Sequence, residues 1–170
     1  MNDAPALLVV CDAGPLIHLD ELNCFDLLAD FSRVVVPHVV WREVELHRPT
    51  ALDQKRIRLT RLKPREKPPA ELISLHRLLA LHSGELQALQ LAKELAADFL
   101  LTDDSAARLA AKTLHVSAHG TLGVLLRAIR RRQRTPEEIL GVLNALPVRS
   151  TLHVKRELLD EIIRQVEALV

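Results

Sequence analysis

The sequence predicts an α/β fold, in which a central sheet of short parallel strands is covered by helices on both faces. Short runs of consecutive apolar residues stop at turn residues, as strands buried on both faces do. Segments with apolar residues at helical spacing lie between these runs, and this alternation is typical of parallel sheets. The chain has 170 residues, 48% of them apolar and 26% charged, which suits one domain folded around a sizeable core.

Five segments carry strand patterns. Residues 6–11 are a continuous apolar run that ends at Asp12-Ala13-Gly14-Pro15. Residues 57–62 alternate between apolar and polar side chains, which predicts a half-exposed strand at an edge of the sheet. The other predicted strands are 34–36, 99–102 and 115–118.

Helical patterns fill most of the remaining chain. Ser83 is a candidate N-cap, and Thr135-Pro136-Glu137-Glu138 has the cap, proline and glutamate positions of a helix start. Residues 63–69 hold three prolines and four charged residues, which makes them the best linker candidate. The predicted helices are 16–29, 38–46, 70–82, 84–97, 105–114, 121–132, a segment that starts at 135, and 154–169.

Composition excludes several functions. The formal net charge of +1 argues against a generic nucleic-acid coat, and an aromatic content of 2% argues against a platform that stacks bases. Cys11 and Cys24 lie among apolar neighbours and form no CxxC motif, so we expect them to be buried and reduced. The N-terminus has no basic region and no apolar run reaches the roughly 18 residues of a membrane span, so we expect a soluble, cytoplasmic protein with no membrane partner.

Acidic residues stand where predicted strands end. Asp12 follows the first strand, and Asp103 and Asp104 follow strand 99–102. Parallel strands end at one edge of the sheet, where ligands bind. Glu43 lies at helical spacing from two valines and shares the predicted inward stripe of its helix, and Glu85 stands in the first turn of another helix.

Each acid also has an ordinary structural explanation. The aspartates are candidate helix caps, Glu85 is a candidate partner of a helix dipole, and Glu43 suits a salt bridge. Together, however, two carboxylates about 4 Å apart repel by about 4 kcal/mol at an effective dielectric of about 20, so a cluster must protonate or bind a cation. Oxygen donors without cysteine or paired histidine favour Mg²⁺ or Mn²⁺ over Zn²⁺. Such clusters activate water for displacement at phosphorus.

Five motifs follow one another in a fixed order along the chain. They are Asp12-Ala13-Gly14-Pro15-Leu16, Pro37-His38-Val39-Val40-Trp41-Arg42-Glu43, Gly84-Glu85-Leu86-Gln87-Ala88-Leu89, Leu101-Thr102-Asp103-Asp104-Ser105-Ala106-Ala107-Arg108 and Gly120-Thr121-Leu122-Gly123-Val124-Leu125-Leu126. This set resembles the PIN-domain proteins, and more narrowly the DUF3368 branch, which is related to the VapC toxins. The likeness runs from about residue 7 to residue 150.

The resemblance implies a three-layer α/β/α domain over residues 1–150 that binds Mg²⁺ or Mn²⁺ and hydrolyses RNA, as the toxin of a toxin–antitoxin pair. By position, the implied catalytic and metal-binding acids are Asp12, Glu43, Glu85 and Asp104, with Asp103 as an extra metal ligand that replaces or assists Asp104. The glutamate at position 85 and the doubled aspartate depart from the commonest VapC pattern. The expected partners are RNA, a small antitoxin protein and a second copy of the chain.

Several residues beside these acids are candidate substrate contacts. Thr102, Ser105 and Thr121 can hydrogen-bond ligands or water, and Arg108 lies one helical turn beyond Asp104. Two basic clusters are candidate RNA tracks: Lys55, Arg56, Arg58, Arg61, Lys63, Arg65 and Lys67, and Arg127, Arg130, Arg131, Arg132 and Arg134. Of the second cluster, Arg127 is named as a candidate substrate contact. The alternatives are an edge strand kept soluble by charge and cations that favour a helix C-terminus.

Two other function classes stay open. One is a binding module that has the fold but no turnover. The other is a receiver-like phospho-acceptor, which the sequence favours less because the paired acids follow a later strand and no lysine follows residues 115–118. Residues 151–170 are predicted to form a C-terminal amphipathic helix that packs on the same domain or at a dimer interface.

Overall fold

Five parallel strands form one sheet in the computed structural model, which describes residues 6–170. The order across the sheet is β3-β2-β1-β4-β5, so the predicted α/β class is confirmed and the period-two strand lies at an edge. The strands are β1 (Leu8–Cys11), β2 (Arg33–Pro37), β3 (Leu59–Leu62), β4 (Phe99–Leu101) and β5 (Ala118–His119).

Helices lie between the strands and after them. Two short 3-10 turns, Phe25–Asp30 and Pro49–Leu52, complete the connections. The helices are α1 (Ala13–Glu21), α2 (His38–His47), α3 (Ala70–Leu78), α4 (Ser83–Glu94), α5 (Ser105–Thr113), α6 (Thr121–Arg130), α7 (Pro136–Arg149) and α8 (Arg156–Glu167).

The core has two halves, one on each face of the sheet. Successive side chains of a strand point to opposite faces, so Val9 and Cys11 pack with α1, α2, α6, α7 and α8, whereas Val10 packs with α3, α4 and α5. α8 contributes three buried residues to the first half: Leu159, Ile162 and Val166. The arrangement is therefore the three-layer α/β/α architecture that was predicted.

Both cysteines are buried and free. None of the helices formed by residues 6–170 combines the length and the apolar character needed to cross a membrane.

The helix predicted over residues 16–29 is wrong in its second half. α1 ends at Glu21, and Asn23 takes a left-handed conformation with a φ of 54°. The N–H of Cys24 then donates to the carbonyl of Leu19 over 2.8 Å, which closes the helix. Asparagine tolerates this conformation better than most residues, so the chain turns there although the apolar spacing continues.

The strand predicted over residues 115–118 is displaced for the same reason. His115 has a φ of 56°, and the N–H of Val116 donates to the carbonyl of Ala111 over 2.8 Å. Residues 115 and 116 thus close α5, and β5 begins only at Ala118. The helices predicted over 70–82, 84–97, 121–132 and 154–169 are likewise a few residues shorter, and the N-cap of α4 is His82, not Ser83.

Candidate active site

The predicted acids meet at the carboxyl ends of the two central strands. The chain winds from β1 through β2 to β3 on one side and from β4 to β5 on the other, so the strand order reverses between β1 and β4. Ligands of open α/β sheets bind at such reversal points. A cavity of about 600 Å³ lies here, and we call it the carboxylate pocket. Its acidic lining residues are Asp12, Glu43, Glu85, Asp103 and Asp104.

Asp12 forms the floor of the carboxylate pocket. Its Oδ1 accepts a hydrogen bond from the N–H of Ala13 over 2.9 Å, and its Oδ2 accepts one from the hydroxyl of Thr102 over 3.0 Å. Burial raises the pKa of Asp12 from 3.8 to about 6; these hydrogen bonds oppose the rise, and the charges of Glu85 and Glu43 add to it. Among residues 6–170, no cationic side chain forms an ion pair with Asp12 that would hold it ionised.

Glu43 reaches the carboxylate pocket from its rim. The prediction that it shares the inward stripe of α2 is wrong: the buried residues of α2 are Val40 and Val44, and Glu43 is exposed. Consecutive helical residues are about 100° apart, which turns Glu43 to one side of that stripe. A Cβ added to Gly84 would lie 3.6 Å from Oε2 of Glu43 and 3.8 Å from Oδ1 of Asp12. The glycine at the start of α4 thus leaves space between the two carboxylates.

Glu85 helps to cap the N-terminus of its own helix, α4. Its Oε2 accepts a hydrogen bond from the N–H of His82 over 2.7 Å, as in a capping box. The side chain is 13% exposed, and its charge still contributes to raising the pKa of Asp12. Glu85 therefore stabilises the start of α4, as the structural alternative predicted, and it also lines the carboxylate pocket.

The adjacent aspartates have different surroundings. Asp103 accepts from the N–H of Thr121 over 2.6 Å, from the hydroxyl of Thr121 over 2.7 Å, and bonds to Nδ1 of His18 over 2.7 Å. Burial raises the pKa of Asp103, but these bonds outweigh it and hold the pKa below its usual value. Asp104 is exposed and caps α5, because its Oδ1 accepts from the N–H of Ala107 over 2.7 Å.

The predicted hydroxyl contacts support the acids from behind. Thr102 and Thr121 are fully buried and donate to Asp12 and Asp103. The assignment of these two threonines as substrate contacts is therefore corrected, since no substrate reaches a side chain without exposed surface. Ser105 and Arg108 line a neighbouring groove together with Asp103 and Asp104.

Arg127 is not brought to the carboxylate pocket. It lines a separate small cavity, donates to Oδ2 of Asp30 over 2.7 Å and lies over the ring of Phe31. Arg131 also pairs with Asp30, and Arg134 pairs with Asp26. Much of the second basic cluster is thus tied to the first 3-10 turn, and its predicted role as an RNA track loses support.

The first basic cluster, residues 55–67, includes the edge strand β3 and the chain on both sides of it. Arg61 donates to Nδ1 of His38 over 3.0 Å and lies over the ring of Trp41. Within the described part of the chain, no carboxylate forms an ion pair with a side chain of this cluster. The positive charge of this cluster is therefore available at the surface. Both explanations, an RNA track and an edge strand kept soluble by charge, require this.

Three histidines of the carboxylate pocket, His18, His82 and His153, were not among the predicted site residues. His82 is the N-cap of α4. His18 lies one helical turn after Gly14, and this spacing is the signal that places it on the face of α1 that borders the pocket. His153 belongs to the segment between α7 and α8. It is far in sequence from any strand, so no local pattern indicated that it lines the pocket.

The family follows from a comparison over nearly the whole chain. A family model described as DUF3368, PIN domain, matches residues 8–168. The chain belongs to the DUF3368 PIN-domain family. No curated protein matches it. PIN domains are in general nucleases and typically use divalent metals, so the resemblance carried by the five motifs is confirmed at the level of family and fold.

The donors of this PIN domain fit a hard divalent cation in their chemistry. Five carboxylates line the pocket, and no lysine or arginine is among the described residues around it. As the side chains lie, no group of three or more His, Cys, Asp or Glu within residues 6–170 is spaced to hold a metal ion. Glu85 and Asp104 are turned toward the helix starts that they cap. The charge of the pocket thus suits a cation, whereas its carboxylates within the described residues are not already grouped around one position.

Proposed function

We propose that this PIN domain is a Mg²⁺- or Mn²⁺-dependent ribonuclease that hydrolyses phosphodiester bonds of RNA. The observation that carries the proposal is the convergence of five carboxylates, unbalanced by lysine or arginine, at the reversal point of the sheet. The raised pKa of Asp12 supports it, because a buried carboxylate beside other acids is stabilised in its ionised form by a cation.

The acids of the pocket have proposed roles. Asp12, Glu43, Glu85 and Asp104 would hold the ion, and Thr102 orients Asp12 through its hydroxyl. A bound divalent ion supplies positive charge that activates water and neutralises charge on the phosphate. The three hydrogen bonds at Asp103 favour a positioning role for it, in which it fixes the start of α6 beside the pocket.

The proposed partners follow from the same reasoning. RNA is the substrate class, and the role of toxin with a small antitoxin partner rests on the likeness to the VapC branch alone. The locally basic surface of the first cluster supports a nucleic-acid substrate, although the whole chain has a net charge of only +1.

The deciding experiment is RNA cleavage by the wild-type chain and by Asp12→Asn, purified in parallel and assayed with and without Mn²⁺. We expect cleavage by the wild type only in the presence of the ion and none by Asp12→Asn. Asp98→Asn is the matched control, since the carboxylate of Asp98 is exposed and binds the N–H of Leu8 outside the pocket. Equal cleavage by Asp12→Asn would assign the activity to another centre.

Ion binding is measured separately by thermal unfolding. An ion at about 100 times its dissociation constant adds about 2.7 kcal/mol, which for a chain of this size is a shift of roughly 5–10 °C in Tm. We expect this shift for the wild type and its loss in Asp12→Asn. An unchanged Tm across the titration would contradict the proposed ion site.

A second candidate function is a binding module without turnover. It is favoured by the helix-capping bonds of Glu85 and Asp104, each of which engages one carboxylate oxygen, and by the finding that no three potential ligands within residues 6–170 are grouped for a metal ion. RNA that is bound but left intact in the same assay would support this candidate.

A further inference from the structure

A second groove continues from the carboxylate pocket along the edge of the sheet. It has a volume of about 540 Å³ and shares Asp103, Asp104, Leu152 and His153 with the pocket. The two cavities therefore form one trough, with the acids at one end. We call the other end the distal groove; its lining includes Arg108, Leu122, Val154, Lys155 and Leu158.

The distal groove differs from the pocket in charge. Arg108 projects from α5 and Lys155 from the segment that precedes α8. Within the described residues, neither side chain forms an ion pair. Two cations from separate elements thus line the groove next to a pocket whose only charged lining residues, apart from histidines, are acids.

Apolar side chains line the distal groove together with these cations. Leu122 of α6, Val154 and Leu158 of α8 line the same groove, and Leu158 is 51% exposed. Cationic and apolar side chains in one groove match the two parts of a nucleotide, whose phosphate binds cations and whose nucleoside buries apolar surface.

The segment that carries His153 and Lys155 is tied to α1 at its start, where Glu21 binds Ser150 and Thr151. Glu21 accepts hydrogen bonds from the N–H of Thr151 over 2.7 Å, the hydroxyl of Thr151 over 2.9 Å and the hydroxyl of Ser150 over 2.9 Å. The start of this segment is therefore fixed against α1, the helix whose N-cap is Asp12, so the backbone that leads to Lys155 has a defined position relative to the acids.

We propose that the distal groove is a nucleotide subsite, in which Arg108 and Lys155 bind the phosphate next to the RNA bond placed at the carboxylate pocket. Leu122, Val154 and Leu158 pack against the nucleoside that carries it. The proposal rests on the proposed ribonuclease function and adds the segment between α7 and α8 to the substrate-binding surface. Glu21 is a positioning residue of this surface.

The test measures RNA affinity as a function of salt. A labelled single-stranded RNA oligonucleotide is titrated in EDTA with the wild type, Arg108→Gln and Lys155→Gln. Each variant is expected to weaken binding roughly three- to tenfold at low salt and to reduce the slope of log affinity against log salt by about 0.7, the value for one lost phosphate contact on a single strand. The exposed Lys112 at the end of α5 and Arg77 of α3 give the matched controls Lys112→Gln and Arg77→Gln, with wild-type slopes.

Cleavage kinetics in Mn²⁺ separate binding from chemistry. Arg108→Gln and Lys155→Gln are expected to raise KM and leave kcat within about twofold, because they lose ground-state and transition-state binding alike. Glu21→Gln is expected to raise KM in the same direction, with the unfolding midpoint in urea measured in parallel. Slopes and KM values equal to the wild type in both cation variants would overturn the subsite while leaving the ribonuclease proposal intact. A wild type that neither binds nor cleaves RNA would overturn the proposed function itself.

Discussion

Asp12→Asn is expected to stabilise the metal-free protein at neutral and alkaline pH. The folded pKa of Asp12 is raised from 3.8 to about 6, so this carboxyl favours folding below pH 3.8 and loses that contribution as the pH rises through 6. At 1.36 kcal/mol for each tenfold change, the ionised carboxylate lowers the free energy of unfolding by about 3 kcal/mol above pH 6. Asparagine removes the charge and keeps the shape.

The loss of one hydrogen bond reduces the stability that is gained by removing the charge. Asparagine still accepts from the N–H of Ala13, but its amide group no longer accepts from the hydroxyl of Thr102, and an unmatched buried hydroxyl costs about 1 kcal/mol. We therefore expect Asp12→Asn to raise the free energy of unfolding by about 2 kcal/mol at pH 8 in EDTA. At pH 4.5 the wild-type carboxyl is largely protonated, and the difference between variant and wild type falls by about 2 kcal/mol.

The assay is urea unfolding of both proteins at pH 4.5 and pH 8 in EDTA, with Asp98→Asn as the exposed-carboxylate control. Each free energy is compared with the wild type at the same pH, so the titration of groups that do not interact with Asp12 cancels. A difference between Asp12→Asn and the wild type that is the same at both pH values would refute the reasoning that burial of Asp12 governs its ionisation.

Three further substitutions test the contacts of Asp103, the corrected role of Arg127 and the N-cap of α7. Gly120→Ala places a Cβ 2.6 Å from Oδ1 of Asp103, a carboxylate held by three hydrogen bonds, so we expect a loss of about 1–3 kcal/mol in urea unfolding; an unchanged midpoint would show that Asp103 can move. Arg127→Gln breaks the pair with Asp30 and should lower Tm without changing RNA affinity, whereas a weaker affinity would restore Arg127 as a substrate contact. Thr135→Ala removes the N-cap of α7 and should cost about 1 kcal/mol, with Thr135→Ser as the control that keeps the bond.

The sheet and the convergence of its acids were predictable from sequence because both depend on local patterns. An apolar run that stops at Asp12, and another that stops at Thr102, fix where parallel strands end, and parallel strands bring their ends to one edge. The first-turn position of Glu85 was predictable in the same way. What these patterns do not contain is the direction of each carboxylate, which depends on the hydrogen bonds available to it.

Asp103 and Asp104 illustrate this limit. The two residues are adjacent and chemically identical, yet one binds His18 and Thr121 from distant segments and the other caps the helix that follows. The distant partners are set by tertiary packing, so sequence reasoning could only name both aspartates as candidates. The distal groove was missed for the same reason, because Lys155 and Arg108 line one groove only once α7 and α8 have packed.

The left-handed helix ends have a consequence for how this protein can be altered. Of its five glycines, three have a carboxylate oxygen within 4 Å of where a Cβ would lie, and they are Gly14, Gly84 and Gly120. Within residues 6–170 the left-handed positions are instead filled by residues with side chains: Asn23, Ala80, Ala96, His115 and Arg132. A left-handed alanine costs about 1 kcal/mol more than glycine in that conformation, so Ala80→Gly and Ala96→Gly offer gains in stability at sites away from the acids. Three of the five glycines thus leave space for carboxylates, whereas the left-handed alanines are positions where the stability of the protein can be changed without altering a residue that lines the carboxylate pocket.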